Sequence, residues 1–235
     1  MRYVWCALAI VLASTIGIAA KATNKQKERI AEAAAVLQEI RSAPDKDIPE
    51  DLWEKASCVA VIPSVKKAAF IVGGEYGKGL ISCRRDAAWT APSFILLEKG
   101  SWGFQIGGET IDLVLLIMNE RGVNRLLESK VALGGEASVA AGPVGRDARA
   151  LTDAQLKAEI LSYSRSQGVF AGVNVTGGVL KPDEDDNRDL YGRPISARDI
   201  LASAKLPVPR VAAPFMAALT HTMPPGNKTD RKSVV

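Results

Sequence analysis

Histidine is almost missing from this chain: of 235 residues only His221, near the C-terminus, is one. A Ser-His-Asp or Cys-His relay needs an imidazole held inside a packed site, and a zinc site needs ligands at short spacings. One distant histidine and three cysteines supply neither; lysine-based or paired-carboxylate catalysis stays open, and the expectation is a protein with no catalytic residues, no metal and no cofactor. A dominant charge of one sign is missing too. The 30 Lys and Arg against 26 Asp and Glu give a formal net charge of +4. Arg2 and Lys21 lie in the N-terminal leader, and Lys228, Arg231 and Lys232 crowd the last residues against Asp230 alone. The remaining body is close to neutral, whereas nucleic-acid binding normally requires a clear basic excess on the domain. Nucleic acid is therefore not an expected partner, and any anion site must be a local patch.

The first 22 residues read as a signal peptide. Arg2 precedes an apolar run from Tyr3 to Ala20, and Ala20-Lys21-Ala22 offers a small-x-small cleavage site. An uncleaved anchor is the other reading, since about 18 apolar residues lie near the lower limit for a membrane span. Cys6 falls inside the leader, which leaves Cys58 and Cys83 in the exported chain. In an oxidising compartment they form a candidate disulfide between two strand-like runs. Two buried free thiols are the alternative.

Hydrophobic content of 47% is enough for one sizeable core, and a single domain is the default at this length. Ile30, Ala33, Ala34, Leu37 and Ile40 recur at helical spacing between Lys25 and Arg41, predicting an amphipathic helix. Its apolar face, mostly alanine, suits packing better than bilayer insertion. Pro44 ends it, and Pro49 opens a second short helix. From Cys58 the texture becomes strand-like, with runs at Val59 to Ile62, Ala68 to Val72, Gly79 to Cys83, Trp89 to Leu97, Trp102 to Ile106 and Asp112 to Met118. Six strands at such close intervals favour an antiparallel sheet. A helix capped by Asn119 follows. Further strands are expected at Ser138 to Pro143, Ile160 to Ser164 and Val169 to Val175, with a small helix at Ala197 to Ala204. The fold class is α+β: an antiparallel, barrel-like sheet with an N-terminal amphipathic helix and peripheral helices. Its domain is expected to occupy residues 25–206, with a Pro- and Ala-rich tail, mobile at its end, over 207–235.

Lys66 and Lys67 follow Pro63-Ser64-Val65, which places them at a turn where a strand emerges. Gly73 to Gly79, GGEYGKG, invites comparison with a phosphate-binding loop, but it is one residue short and has Gly79 where a magnesium-binding hydroxyl is needed. It reads instead as a hairpin whose glycines accept positive φ, with amides beside Lys78 open to a phosphate headgroup. Arg84 and Arg85 end the next strand and, if the strands pair, share an edge with the lysines. Lys66, Lys67, Lys78, Arg84 and Arg85 are thus the candidate anion-binding set. Asp112, inside an apolar run, reads as a hydrogen-bonded structural residue, and Trp53, Trp89 and Trp102 read as core. The acidic stretch Asp183 to Asn187 starts like a calcium loop, yet Arg188 and Pro194 occupy the positions of its glycine and closing glutamate.

Four blocks in this order, Cys58 to Arg85, Gly100 to Asn119 (GSWGFQIGGETIDLVLLIMN), Ala137 to Arg146 (ASVAAGPVGR) and Ala158 to Gly172 (AEILSYSRSQGVFAG), resemble the SYLF domain family over roughly Lys25 to Leu206. The resemblance implies a lipid-binding and actin-binding module in eukaryotes, with phosphoinositide-like headgroups as ligands, and an exported lipid-binding protein in bacteria. The leader and short form point to the bacterial type. No SH3 or FYVE segment accompanies the blocks, so the partners and endosomal role of relatives that carry one are not implied. The expected function is non-enzymatic binding of an anionic phospholipid membrane surface, phosphatidylglycerol or cardiolipin rather than phosphoinositide, by a periplasmic or secreted protein that is peripherally membrane-associated. The alternative is a protein-binding module that recognises an envelope or host protein.

Overall fold

In the computed structural model, which describes residues 22–41, 48–70, 72–85, 88–102, 109–128, 130–144, 152–166 and 169–222, the chain becomes pleated at Cys58 and stays so to Phe70 as one strand, β1 (Cys58–Phe70). Of the expected leader, only Ala22 falls among the described residues. Two separate strands were expected across β1, with a turn at the lysines. A bulge stands there instead. Val61 lies opposite Leu80 and Lys66 opposite Tyr76 on β2 (Val72–Arg85), so four residues of β1 face three of β2. The same extra residue appears against β5 (Glu109–Ile117), between Ile62 and Val65. Ser64, at φ 52°, is the non-glycine residue that absorbs it, as bulges require.

The remaining strands are β3 (Ala88–Trp89), β4 (Ser93–Trp102), β6 (Val131–Ala132), β7 (Val139–Ala141), β8 (Ile160–Ser166), β9 (Val169–Gly172) and β10 (Gly178–Pro182). They form a ten-stranded sheet in the order β6-β10-β4-β2-β1-β5-β8-β7, with β3 on β2 and β9 on β8. Pairing is antiparallel except between β7 and β8, which run parallel. The two end strands, β6 and β7, are neighbours in sequence and are separated by only Leu133 to Ser138. A sheet whose opposite edges are tied by so short a link must curl, and it forms a barrel-like trough. β6 and β10 are strands without a sequence-based expectation. The expected strand from Trp102 to Ile106 is, at Trp102, the end of β4, and its other residues lie outside the described ones.

Two apolar layers fill the two faces. Inside the trough lie Ala60, Ile62, Val65, Ile81, Ile95, Leu113 and Leu115, with Val123 and Leu126 of α3 (Glu120–Leu126) and Ile200 and Leu201 of α6 (Ala197–Ala202). On the outer face Val59, Val61, Leu80, Phe94, Val114 and Leu116 meet α1 (Asn24–Arg41), α2 (Glu50–Lys55) and α7 (Ala213–Thr222). Ile30, Leu37 and Ile40 of α1 are fully buried, each contributing about 1.5–3 kcal/mol. Asn119 caps α3 by accepting from Gly122 N–H at 2.9 Å. α4 (Asp153–Lys157) leads into β8, and α5 (Glu184–Tyr191) replaces the expected acidic loop, with Asp183 as its N-cap. The expected tail is corrected up to Thr222. Pro207 to Pro209 leads through a 3-10 turn into α7, whose Phe215 and Leu219 are buried in the outer layer. Proline and alanine there begin and pack a helix, and His221 stands exposed on its last turn.

Cys58 and Cys83 stand directly opposite across β1 and β2, with Cα atoms 3.9 Å apart, and are joined by a disulfide. Gly77 and Gly79 serve close approach rather than the positive φ expected of them. A Cβ on Gly79 would lie 2.1 Å from the Val61 carbonyl oxygen, and one on Gly77 2.7 Å from Ile62 and Val65 side-chain atoms. Positive φ among the described glycines occurs instead at Gly134, Gly177 and Gly192.

Two stability outcomes follow. Gly79→Ala should lower the unfolding free energy by about 2 kcal/mol, because its obstacle is backbone, while Gly100→Ala, which meets nothing within 4 Å, should stay within about 0.5 kcal/mol of the parent in urea melts. Cys58→Ser/Cys83→Ser should cost about 3 kcal/mol by the same measurement; an unchanged midpoint would show that the bridge adds nothing to the sheet.

Candidate functional site

The five basic candidates do not converge. Antiparallel pairing does join their strands, but it sends Arg84 and Arg85 to the disulfide end, beside Cys58. Lys66 pairs with Tyr76, and Arg84 lies eight positions further along β2 than Tyr76, roughly 26 Å at strand spacing. Arg84 stacks on Trp89 with its guanidinium carbon 4.9 Å from the ring centroid and donates to the Glu54 carbonyl at 3.0 Å. Arg85 donates to the Leu201 carbonyl at 3.1 Å and pairs with Glu120 at 3.3 Å. Both arginines tie helices to the sheet.

Lys78 is also occupied. It points from β2 to the outer face, where its ammonium lies 2.5 Å from Asp183 and 3.0 Å from Asp186. Gln26 of α1 donates to Asp186 at 2.8 Å and Arg29 reaches the same carboxylate at 3.4 Å. Burial pulls the Lys78 ammonium downward, but hydrogen bonds to Asp183 and Asp186 outweigh it and hold the group above its ordinary pKa. Burial likewise pushes the Asp186 carboxyl upward, and is outweighed by hydrogen bonds from Gln26 and Lys78 that hold it below its ordinary value. This cluster fastens the start of α1 to β2 and α5. The other end of α1 is fastened through Glu39, which pairs with Arg165 of β8. Arg165 in turn donates to Asp112 at 2.8 Å, and Asp112 accepts the Ser64 N–H of the bulge at 2.9 Å. Asp112 is thereby satisfied, and its partners could not be seen from its place in an apolar run.

What remains is the hairpin end of the sheet, where β1 returns as β2 and β4 ends at Trp102. Lys66 is exposed there and makes no ion pair among the described residues. Thr110, Lys66, Tyr76 and Glu98 form one cross-strand row, whose members share a face. Glu98 is neutralised by Lys181 at 2.8 Å. In the next row Lys67 stands opposite Glu75, which pairs with Lys99 at 3.9 Å; the Lys67 side chain lies outside what is described. Among the described residues no group of three or more His, Cys, Asp or Glu side chains is placed to hold a metal ion, and no helix is long and apolar enough to cross a membrane. The chemistry available is charge, aromatic surface and bare backbone.

Comparison with known proteins agrees with a binding role. The family model Ysc84, described as "Las17-binding protein actin regulator", matches residues 98–222. The human SH3 domain-containing YSC84-like protein 1 is 36% identical over 182 residues, which cover 74% of this chain and 53% of that protein. From Saccharomyces cerevisiae, protein YSC84 is 36% identical over 179 residues (74% of this chain, 38% of the relative), and LAS seventeen-binding protein 3 is 36% identical over 171 residues (71% and 37%). The chain spans about half the length of the animal relatives it matches and less of the yeast ones.

A carboxylate whose folded pKa is depressed contributes stability that is complete above its unfolded value, about 3.9, and is lost as pH falls through the lower folded value. Asp186→Asn should therefore lower stability by roughly 1–2 kcal/mol at neutral pH and flatten the acid limb of a plot of urea midpoint against pH. Parallel acid limbs for parent and variant would remove Asp186 from the fastening of α1.

Proposed function

Starting from a chain that belongs to the SYLF domain family, the family of Ysc84, we propose that this protein is a non-enzymatic binding module whose ligand is an anionic phospholipid surface, met at the hairpin end of the sheet through Lys66 and Lys67. The observation that carries the reading is Lys66, exposed at the hairpin end of the sheet and without an ion-pair partner among the described residues. Lysines near an anionic bilayer gain about 1 kcal/mol each. Lys78, Arg84 and Arg85 are withdrawn from the contact surface because their charges are spent inside the fold. An exported setting belongs to the same reading, supported by the apolar leader sequence and by a Cys58–Cys83 bridge suited to an oxidising compartment.

A second reading has its own support. The matching family description and a yeast relative are both named for binding Las17, so the same module could hold a protein, here an envelope or host protein rather than that partner.

Co-sedimentation with phosphatidylcholine and phosphatidylglycerol vesicles at low and high salt separates the two. The expected result is binding confined to the anionic vesicles, weakened by salt, and reduced at least about thirtyfold in Lys66→Glu/Lys67→Glu. Absence of vesicle binding at low salt would refute the lipid reading and leave the protein-binding one.

A further inference from the structure

The outer face of the hairpin end carries a strip without side chains. Gly74 lies directly opposite Gly100, and Ala68 opposite Gly74, so three adjacent strands present a row with only one methyl group. A Cβ built on Gly100 meets nothing within 4 Å, and one on Gly74 meets only the Lys99 carbonyl, at 3.5 Å. Gly74 and Gly100 are both exposed. On its α1 side stands the row of exposed Lys66 and of Tyr76, which is 47% exposed. On its other side the register places Phe70, Val72 and Trp102.

We infer that this strip is the contact face itself: it lies flat on an anionic bilayer, with Tyr76 at headgroup level, Lys66 against phosphate, and the Phe70, Val72 and Trp102 positions toward the acyl boundary. The inference rests on the lipid reading and adds the face and its depth order. Three observations favour a bilayer over a peptide. β2 is hydrogen-bonded on both sides along these rows, so it offers no free backbone edge for strand addition. An exposed tyrosine, Tyr76, beside glycine and lysine suits the interfacial layer, where Tyr concentrates. The residual charge is of one sign, since Glu98 is already neutralised by Lys181 and Lys66 is not neutralised among the described residues.

Because Gly100 has open space, a charge can be set on the strip without disturbing the fold. In vesicle titrations at low salt with phosphatidylglycerol, Gly100→Glu should weaken binding about fivefold and Gly100→Lys should tighten it by a similar factor, the worth of one charge near the surface. Both variants should melt at the parent temperature. Independently, brominated lipid should quench a component of the parent's tryptophan fluorescence that is missing in Trp102→Phe. Parent-like binding by both glycine variants, or equal quenching with and without Trp102, overturns the inference while leaving the lipid reading with another face. Failure of the parent itself to bind refutes both.

Discussion

The arrangement turns on one extra residue in the central strand. Cys58, Ala60 and Ile62 point into the trough and Val59 and Val61 point to the helices. Continued without interruption, that alternation would drive Ser64 and Lys66 into the core. The bulge at Pro63 and Ser64 reverses the parity, so that Val65 is buried and Lys66 is exposed, the consequence of a period of two. Asp112 holds the bulge by accepting the freed Ser64 amide, and Gly77 and Gly79 give the displaced backbone room. A hydrogen bond, a charge and two missing methyl groups therefore decide where the first candidate lysine points.

The same aspartate links the bulge to the helix that crosses the sheet. Asp112 binds Arg165, Arg165 binds Glu39 at the end of α1, and Asp186 binds Gln26 and Arg29 at its beginning. An alanine-rich face gives α1 less apolar area than leucine would, and partly buried ion pairs at both ends supplement its packing against α7 and the strands below. Partly buried cations acquire carboxylate partners because leaving them unpaired is costly. This is why Lys78, next to a covering helix, is consumed by the fold, while exposed Lys66 has no carboxylate partner among the described residues.

Local patterns in the sequence carried the helices with strong signals. Periodic apolar residues marked α1, a proline at the N-cap marked α2, and Asn119 marked the start of α3. Strand texture marked most of the sheet, and the resemblance to SYLF proteins held. The bulge was not legible, because Pro63-Ser64 reads equally as a turn, and only the pairing to Tyr76 and Asp112 decides between them. β10 was hidden by Gly177-Gly178 at its start and Pro182 at its end, both turn signals that here bound an inner strand. α5 was hidden by its own cap: Asp183 to Asp186 look like a loop until the helix dipole is considered, which favours carboxylates in the first turn. Among the site residues, Lys66 kept its expected exposure, whereas Arg84, Arg85 and Lys78 lost their expected proximity or freedom for reasons that lie in partners distant in sequence, from Gln26 to Leu201.

The charge available at the hairpin end constrains how a surface of this kind can work. On the face of the strip Lys66 supplies about 1 kcal/mol near an anionic bilayer, which corresponds to roughly a fivefold preference over a neutral one. That is enough to select a surface and too little to hold a 235-residue protein on it. Retention must come from apolar area removed from water, at about 25 cal/mol per Å². A strip of glycine and alanine contributes little area of its own, but it lets the flanking rows lie at one level, where a larger side chain between them would hold one row off. On the proposed reading, charge chooses the membrane and the rows beside the bare strip keep the protein there. The rigid, bridged end of the sheet, with its arginines committed to helices, stays roughly 26 Å away along β2, clear of that contact.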